Sequence, residues 1–209
     1  MHRRLTYSIV LAGVLVVSVL HGNMRGAVGS TIQGTVKVIG LASNADAVVY
    51  IQQASGPFTA PAEPADMSQK GMQFVPHVLP VIVGTTVRFL NSDTIQHNVL
   101  SPDGEKYNLG TWKQGQAKEH TFAKCDKPPC AYTQLCFMHP DMEGYVVVLQ
   151  NPLFATTGTD GEYKIENVPP GAYSVAVWHA DGKAPTRPVT VSGTTTQPTV
   201  VDFVVGHSS

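Results

Sequence analysis

The fold and the chemistry of this chain follow from one seven-residue stretch, Cys136-Phe137-Met138-His139-Pro140-Asp141-Met142. Three of its residues, Cys136, His139 and Met142, are spaced three apart, so one tight loop offers a thiolate, an imidazole and a thioether. A second imidazole, His97, lies upstream, shortly after another predicted strand. Two imidazoles and a thiolate in a plane, with a weak axial thioether, form the electron-transfer site of blue copper proteins. We therefore expect these four residues to bind one copper ion.

The overall composition excludes several other classes of protein. Of 209 residues, 43% are hydrophobic and only 14% are charged, and the formal net charge is −1. Such a chain is neither a disordered acidic tail, nor a coiled coil, nor a protein with many membrane spans. It has no long basic run, so we expect no nucleic-acid partner.

The first 29 residues resemble an export signal. His2, Arg3 and Arg4 are followed by the apolar stretch Leu5–Leu20, and small residues precede Ser30 at the positions of a cleavage site. The apolar stretch is shorter than the roughly 20 residues of a spanning helix. We expect a signal peptide over residues 1–29 and a periplasmic or extracellular protein. The alternative is an uncleaved anchor, and we expect membrane contact only in that case.

The three cysteines fit an exported protein. In an oxidising compartment thiols pair unless something else holds them. Cys125 and Cys130 flank a short turn-forming sequence, which predicts a disulfide and leaves Cys136 unpaired. The alternative is a zinc site made of these three cysteines and His139, which would leave His97 and Met142 without a role.

After residue 30 the sequence predicts an all-β protein. Short alternating or β-branched segments recur between turns rich in Gly, Pro, Asn and Asp. The predicted strands are Thr31–Val38, Ala47–Gln52, Val78–Val83, Thr85–Asn91, Ala117–Phe122, Ala131–Cys136, Tyr145–Gln150, Glu162–Glu166, Ala172–Trp178, Arg187–Val191 and Thr199–Val205. The stretch Ala54–Ala65, rich in Pro, Ala and Gly, is predicted to be a connecting loop.

The residues around the metal donors resemble a known family. The segments Gly71–Pro76, Val81–Asn91, His97–Val99 and Cys136–Met142 are similar to the cupredoxins, and the Cys-x-x-His-x-x-Met spacing is that of amicyanin. The resemblance implies a Greek-key β-sandwich over residues 56–151. It also implies that His97, Cys136 and His139 are the equatorial copper ligands and Met142 the axial one. Asn98 would hydrogen-bond the ligand loop and hold Cys136 in place.

Three features depart from the family pattern. The Cys125–Cys130 loop is an insertion, and Gln134 is a polar residue on the same strand face as Cys136. Gln134 either forms a hydrogen bond near the site or marks a bulge. Asp141 and Glu143 put negative charge beside Met142, which favours a partner with a basic face.

The C-terminal part resembles a second family. The stretch from Thr156 to Tyr173, with its Asp-Gly and Pro-Pro-Gly turns, is similar to the carboxypeptidase regulatory-like domain, a transthyretin-like β-sandwich. Residues 152–209 are too few for the whole sandwich, and residues 30–55 look like its opening strands. We therefore predict a discontinuous domain, 30–55 plus 152–209, with the cupredoxin domain 56–151 inserted. In the alternative, residues 30–55 are the cupredoxin's own first strands.

These features predict an electron carrier and not an enzyme. Multicopper oxidases and two-copper nitrite reductases place a histidine beside the copper cysteine, whereas the neighbours here are Leu135 and Phe137. We expect no substrate pocket. The predicted function is single-electron transfer between redox partners such as a c-type cytochrome, a dehydrogenase or an oxidase. One alternative is copper binding and delivery without electron transfer. Another is an adhesion module with a vestigial site.

Overall fold

The computed structural model describes residues 30–194 and 197–206, and in these residues it contains eighteen strands and no helix. The predicted all-β fold is confirmed. The predicted signal peptide, residues 1–29, lies outside the described residues. Within the described part of the chain, no helix is long and apolar enough to span a membrane.

The strands follow one another along the chain as short elements. They are β1 (Ser30–Val38), β2 (Val48–Ile51), β3 (Ala65–Gln69), β4 (Phe74–Val75), β5 (Val78–Ile82), β6 (Thr86–Asn91), β7 (His97–Ser101), β8 (Tyr107–Trp112), β9 (Ala117–Thr121), β10 (Cys130–Leu135), β11 (Glu143–Leu149), β12 (Phe154–Thr156), β13 (Glu162–Val168), β14 (Gly171–His179), β15 (Gly182–Lys183), β16 (Arg187–Val191), β17 (Thr199–Val200) and β18 (Phe203–Val205).

The central part of the chain forms one sandwich, here called the metal sandwich, from strands β3 to β11. One sheet has the order β5-β11-β10-β7-β8 and the other β4-β3-β6-β9. Alternate residues of each strand point inward, as Val87 and Phe89 do on β6, and they pack into one core with Trp112 and Phe122. This core reaches the predicted metal donors, because Cys136 and Met142 are part of it.

The second sandwich is built from strands at both ends of the described chain. Strand β1 pairs with β13, β17 and β18, and strand β2 pairs with β12 and β14. Both β1 and β2 therefore pair with strands that follow the metal sandwich along the chain. A separate apolar core, which includes Ile32, Ile165 and Phe203, lies between the two sheets of this sandwich.

A third apolar cluster joins the two sandwiches. Val48 and Tyr50 of β2 pack with Val147 and Leu149 of β11 in this cluster, whereas the alternate residues of the same strands belong to the sandwich cores. Strand β2 is consequently buried along its whole length, on both faces. The four sheets thus stack as layers, and the two inner sheets face each other.

One predicted strand divides into two. The segment predicted as Thr199–Val205 is interrupted at Val201 and Asp202, between β17 and β18. The Asp202 carboxylate accepts hydrogen bonds from the backbone N–H and the hydroxyl of Thr35, at 2.8 and 3.0 Å. The two pieces keep one parallel register along β1, and at the interruption the Asp202 side chain replaces the backbone ladder as the partner of Thr35.

Candidate metal centre

The connection between β6 and β7 holds His97 at the end of the metal sandwich. The side chain of Asn91 organises this connection: its amide donates to the carbonyls of Ile95 and Trp112, at 2.8 and 3.0 Å, and its oxygen accepts from the N–H of Asp93 at 2.9 Å. His97 then opens β7 and is completely buried. Its ring position is therefore set by the fold before any metal binds.

The ligand loop between β10 and β11 consists of two consecutive turns. The His139 N–H donates to the carbonyl of Cys136 at 3.1 Å, and the Met142 N–H donates to the carbonyl of His139 at 2.9 Å. Side chains three residues apart lie above one another in such turns. The three-residue spacing therefore brings Cys136, His139 and Met142 to one side of the loop, with Cys136 and Met142 both buried in the core.

The donor atoms of three predicted ligands converge. His97 Nδ1 lies 3.1 Å from His139 Nδ1, and Cys136 Sγ lies 3.5 Å from His139 Nδ1 and 4.0 Å from His97 Nδ1. Metal–nitrogen and metal–sulfur bonds of about 2.0–2.3 Å in a trigonal plane would separate the donors by about 3.5–3.8 Å. The residues present therefore fit a metal ion bound by two imidazoles and a thiolate.

Asn98 contacts Cys136 through its backbone. Its N–H lies 3.4 Å from the Cys136 sulfur, a distance suited to a hydrogen bond to a thiolate. The carboxamide of Asn98 points instead to the next strand and donates to Asn108 Oδ1 and to the Gly110 carbonyl, both at 2.8 Å. The side chain thus fixes β7 against β8, and this pairing holds the N–H in front of the sulfur.

Asp93 is a site residue that the sequence analysis did not identify. Its Oδ2 lies 2.9 Å from His97 Nε2, the ring nitrogen that faces away from the other donors. The carboxylate also accepts hydrogen bonds from the backbone N–H groups of Met72 and Gly71, which with His97 hold the pKa of Asp93 below its ordinary value. A carboxylate four residues before a ligand histidine is the signal that could have identified it.

Gln134 forms hydrogen bonds and does not mark a bulge. Strand β10 pairs with β11 residue for residue from Cys130 to Leu135. The buried Gln134 side chain accepts a hydrogen bond from the Tyr107 hydroxyl and donates to the Tyr132 carbonyl. Gln134 therefore forms hydrogen bonds, as one of the two interpretations predicted, and its partners are Tyr107 and Tyr132.

Cys125 and Cys130 form a disulfide, as predicted, and Cys136 is the free cysteine. Both sulfurs of the pair are bonded to each other, so neither is available as a metal ligand. The alternative zinc site built from three cysteines and His139 is therefore wrong. The disulfide closes the loop that precedes β10. Cys130 begins this strand and Cys136 follows its other end, so the disulfide and the free cysteine are separated by the length of β10.

No protein-family model matches this chain, and no curated protein matches it. Among solved structures, a purple cupredoxin from Nitrosopumilus maritimus has 27% identity and a TM-score of 0.35, and the match covers 40% of this chain and 98% of that one. Amicyanin from Paracoccus versutus has 25% identity and a TM-score of 0.38, with 42% and 83% covered.

A copper-containing nitrite reductase from Thermus scotoductus has 28% identity and a TM-score of 0.39 over 47% of this chain. That match spans only 25% of the enzyme's length. All three TM-scores are below 0.5.

Proposed function

We propose that this chain is an exported blue copper protein of the cupredoxin type, which carries single electrons between redox partners. The observation that supports this most strongly is the convergence of His97 Nδ1, His139 Nδ1 and Cys136 Sγ, at 3.1–4.0 Å from one another, beside the buried Met142. A copper ion bound there would supply one-electron chemistry through its two oxidation states.

The surroundings of the donors favour electron transfer. His97 is buried, and its Nε2 is hydrogen-bonded to Asp93. The Cys136 sulfur accepts a hydrogen bond from the Asn98 N–H, so the fold itself holds two of the donors in place. Donors that stay in place in both oxidation states keep the structural change on electron transfer small. His139 is only partly buried, so electrons would enter and leave the site through its imidazole ring.

The exposed side chains around the candidate site favour the binding of a protein partner. Phe137 and Met138 of the ligand loop are 61% and 43% exposed, and Met72 is 55% exposed. Large apolar side chains exposed beside a binding site indicate a protein-docking surface. Asp141 and Glu143 lie beside this surface, so we propose a redox protein with a basic rim around an apolar centre, such as a c-type cytochrome, as the partner.

Export and domain organisation belong to the same proposal. A disulfide is typical of proteins in oxidising compartments, so Cys125–Cys130 supports a periplasmic or extracellular location. The pairing of β1 and β2 with strands after residue 153 supports the boundaries 30–55 plus 152–209 and 56–151. We propose a transthyretin-like identity for the second sandwich, which would act as a fixed body beside the metal sandwich.

A carrier is also favoured over a copper enzyme. Cys136 is flanked by Leu135 and Phe137, so no histidine adjoins the thiolate to link it to a second metal. Within residues 30–194 and 197–206, His97, Cys136 and His139 are the one cluster of potential metal ligands of this kind. Nitrite reduction by the copper-loaded protein would contradict this part of the proposal.

The test is reconstitution of the purified mature chain with Cu(II). We expect an intense absorption band in the red from the Cys136 thiolate, and we expect Cys136→Ser to remove the band while the protein stays folded. Reduction should bleach the band, and reoxidation should restore it with the copper still bound. A colourless complex in the wild-type protein would overturn the proposal. Loss of Cu(I) to a chelator on each reduction would instead support the alternative of copper delivery.

A further inference from the structure

The imidazole of His97 has its two nitrogens in different surroundings. Nδ1 faces His139 and Cys136, whereas Nε2 faces the Asp93 carboxylate at 2.9 Å. A neutral imidazole that offers Nδ1 to a metal carries its proton on Nε2. In this arrangement His97 donates that proton to Asp93, and the hydrogen bond fixes both the tautomer and the rotation of the ring.

The Asp93 carboxylate is itself held by a backbone turn at residues 70–73. Gly71 and Met72 have φ values of 64° and 55°, so two consecutive residues adopt the left-handed conformation. Their N–H groups point to the two carboxylate oxygens, at 2.7 and 2.9 Å. Consecutive N–H groups in a turn form an anion-binding concavity, and here the anion is a side chain of the same protein.

The turn is part of the exposed end of the metal sandwich. Met72 and Phe74 line one groove with Asp141 and Met142 of the ligand loop. Met72 is 55% exposed, whereas His97 is completely buried. Asp93 therefore connects a surface residue on the face proposed for docking to a buried metal donor through two successive hydrogen bonds.

We propose that Asp93 is the positioning residue for His97, and that it joins the ligand and the turn at residues 70–73 into one unit, so that a partner bound at Met72 is sensed at the metal. This inference rests on the proposed function, because it concerns the metal donors. It goes further in naming the residue that orients His97 and the part of the docking face that is linked to it.

The first experiment compares copper binding by the full mature protein and by Asp93→Asn. We expect the variant to bind copper about 10–100-fold more weakly, the usual consequence of removing the partner of a ligand histidine. We also expect a higher reduction potential, because a less basic imidazole stabilises Cu(II) less. The matched control is Asp141→Asn, which removes one negative charge beside Met142 but breaks no imidazole contact. Equal effects of the two variants would overturn the proposal.

The second experiment follows the turn by amide hydrogen exchange. In the wild-type protein, Cu(I) binding should slow exchange at Gly71 and Met72, because coupling between two sites is reciprocal. In Asp93→Asn, exchange at both amides should be about tenfold faster and should not respond to Cu(I). Unchanged exchange in the variant would show that the turn is not held by Asp93, and would overturn the proposal.

A third measurement needs no variant and so does not depend on a variant folding. Nitrogen chemical shifts of the His97 ring in the metal-free wild-type protein report the tautomer. We expect the proton on Nε2; a proton on Nδ1 would overturn the proposal. If the wild-type protein binds no copper, the proposed function fails, yet the tautomer and the exchange of Gly71 and Met72 still decide whether Asp93 holds the ring and the turn together.

Discussion

The two sandwiches differ in what their cores contain. The apolar core of the second sandwich includes Ile32 and Phe203, and its buried polar side chains Ser30, Thr157 and His179 each keep 4–8% of their surface exposed. The metal sandwich also buries polar side chains completely, and these are Gln69, Asn91, His97, Asn98 and Gln134. Burying a polar group is costly unless it is hydrogen-bonded, and each of these five forms at least one hydrogen bond. Such exceptions to an apolar core are expected at functional sites, and here they include the candidate donor His97 and its neighbour Asn98, whose N–H faces the Cys136 sulfur.

The apolar cluster between the two sandwiches, here called the junction, limits how independently the two can unfold. Strands β2 and β11 each supply one face to their own core and the other face to the shared cluster of Val48, Tyr50, Val147 and Leu149. Unfolding either sandwich would expose the inner face of the other. We therefore expect the two to unfold as one cooperative unit despite their different cores.

The largest expected effect tests this cooperativity. Phe203→Ala removes a buried ring from the second sandwich, far along the chain from the metal donors. It should lower the free energy of unfolding by about 3–5 kcal/mol, because the cavity is not refilled. The chain has two tryptophans, Trp112 in the metal sandwich and Trp178 in the second, so each sandwich carries its own fluorescent probe.

Urea unfolding of Phe203→Ala is measured in two backgrounds, Trp112→Phe and Trp178→Phe. Both remaining tryptophans should report the same shifted midpoint. Phe203→Leu is the control, with an expected loss below about 1.5 kcal/mol. A midpoint that moves at Trp178 and not at Trp112 would mean that the two sandwiches unfold separately.

A smaller effect separates the stability of the metal sandwich from its chemistry. The double variant Cys125→Ser/Cys130→Ser opens a short loop, and the loss of chain constraint is worth about 2 kcal/mol. Because Cys130 begins β10 and Cys136 follows its far end, the visible band of the copper-loaded protein should keep its position and intensity. A changed band would mean that the disulfide helps to shape the site. The double variant avoids a second free thiol that could compete with Cys136.

The candidate metal donors could be predicted from the sequence because three of them lie within one loop. The spacing of Cys136, His139 and Met142 matches the geometry of two consecutive turns, which is a local property of the chain. Strands with strong apolar patterns were also predicted well: the prediction for Arg187–Val191 has the observed bounds. Local sequence was therefore sufficient to predict the all-β class and to propose most of the candidate donors.

Features that depend on distant residues could not be predicted. Strand β8 contains Asn108 and Gly110, which are poor strand formers, and the Asn98 side chain binds both. The spacing of Asp93 and His97 is local, but the contact of Asp93 with the turn at residues 70–73 is not, and nothing near Asp93 in the sequence indicates it. The junction likewise depends on which apolar strand faces of the two inner sheets pack against each other. These contacts follow from tertiary pairing and not from propensity or spacing.

The smallest expected effect distinguishes a histidine at the junction from one inside the metal sandwich. His77 Nδ1 lies 3.0 Å from the Asp46 carboxylate of the second sandwich, and this hydrogen bond raises the pKa of His77, with smaller contributions from Glu143 and Asp181. A raised pKa means that the folded protein holds the proton more tightly. This contribution to stability is complete below the ordinary value of 6.5 and is lost as the pH rises through the folded pKa. Because the pair is partly exposed, it is worth less than about 1 kcal/mol.

His120 on β9 should respond with the opposite sign. It stacks on Tyr107 with ring centroids 3.9 Å apart, and burial lowers its pKa even though Glu105 lies 3.3 Å away. The unfolded chain then takes up the proton first, so stability is lost as the pH falls below about 6.5. Unfolding free energies of the wild-type protein, His77→Gln and His120→Gln are measured at pH 5 and pH 8. His77→Gln should be more destabilising at pH 5 than at pH 8, whereas His120→Gln should be less destabilising at pH 5 than at pH 8. The same sign for both would contradict the assignment of His77 to a charged contact and of His120 to a site where burial outweighs the charge of Glu105.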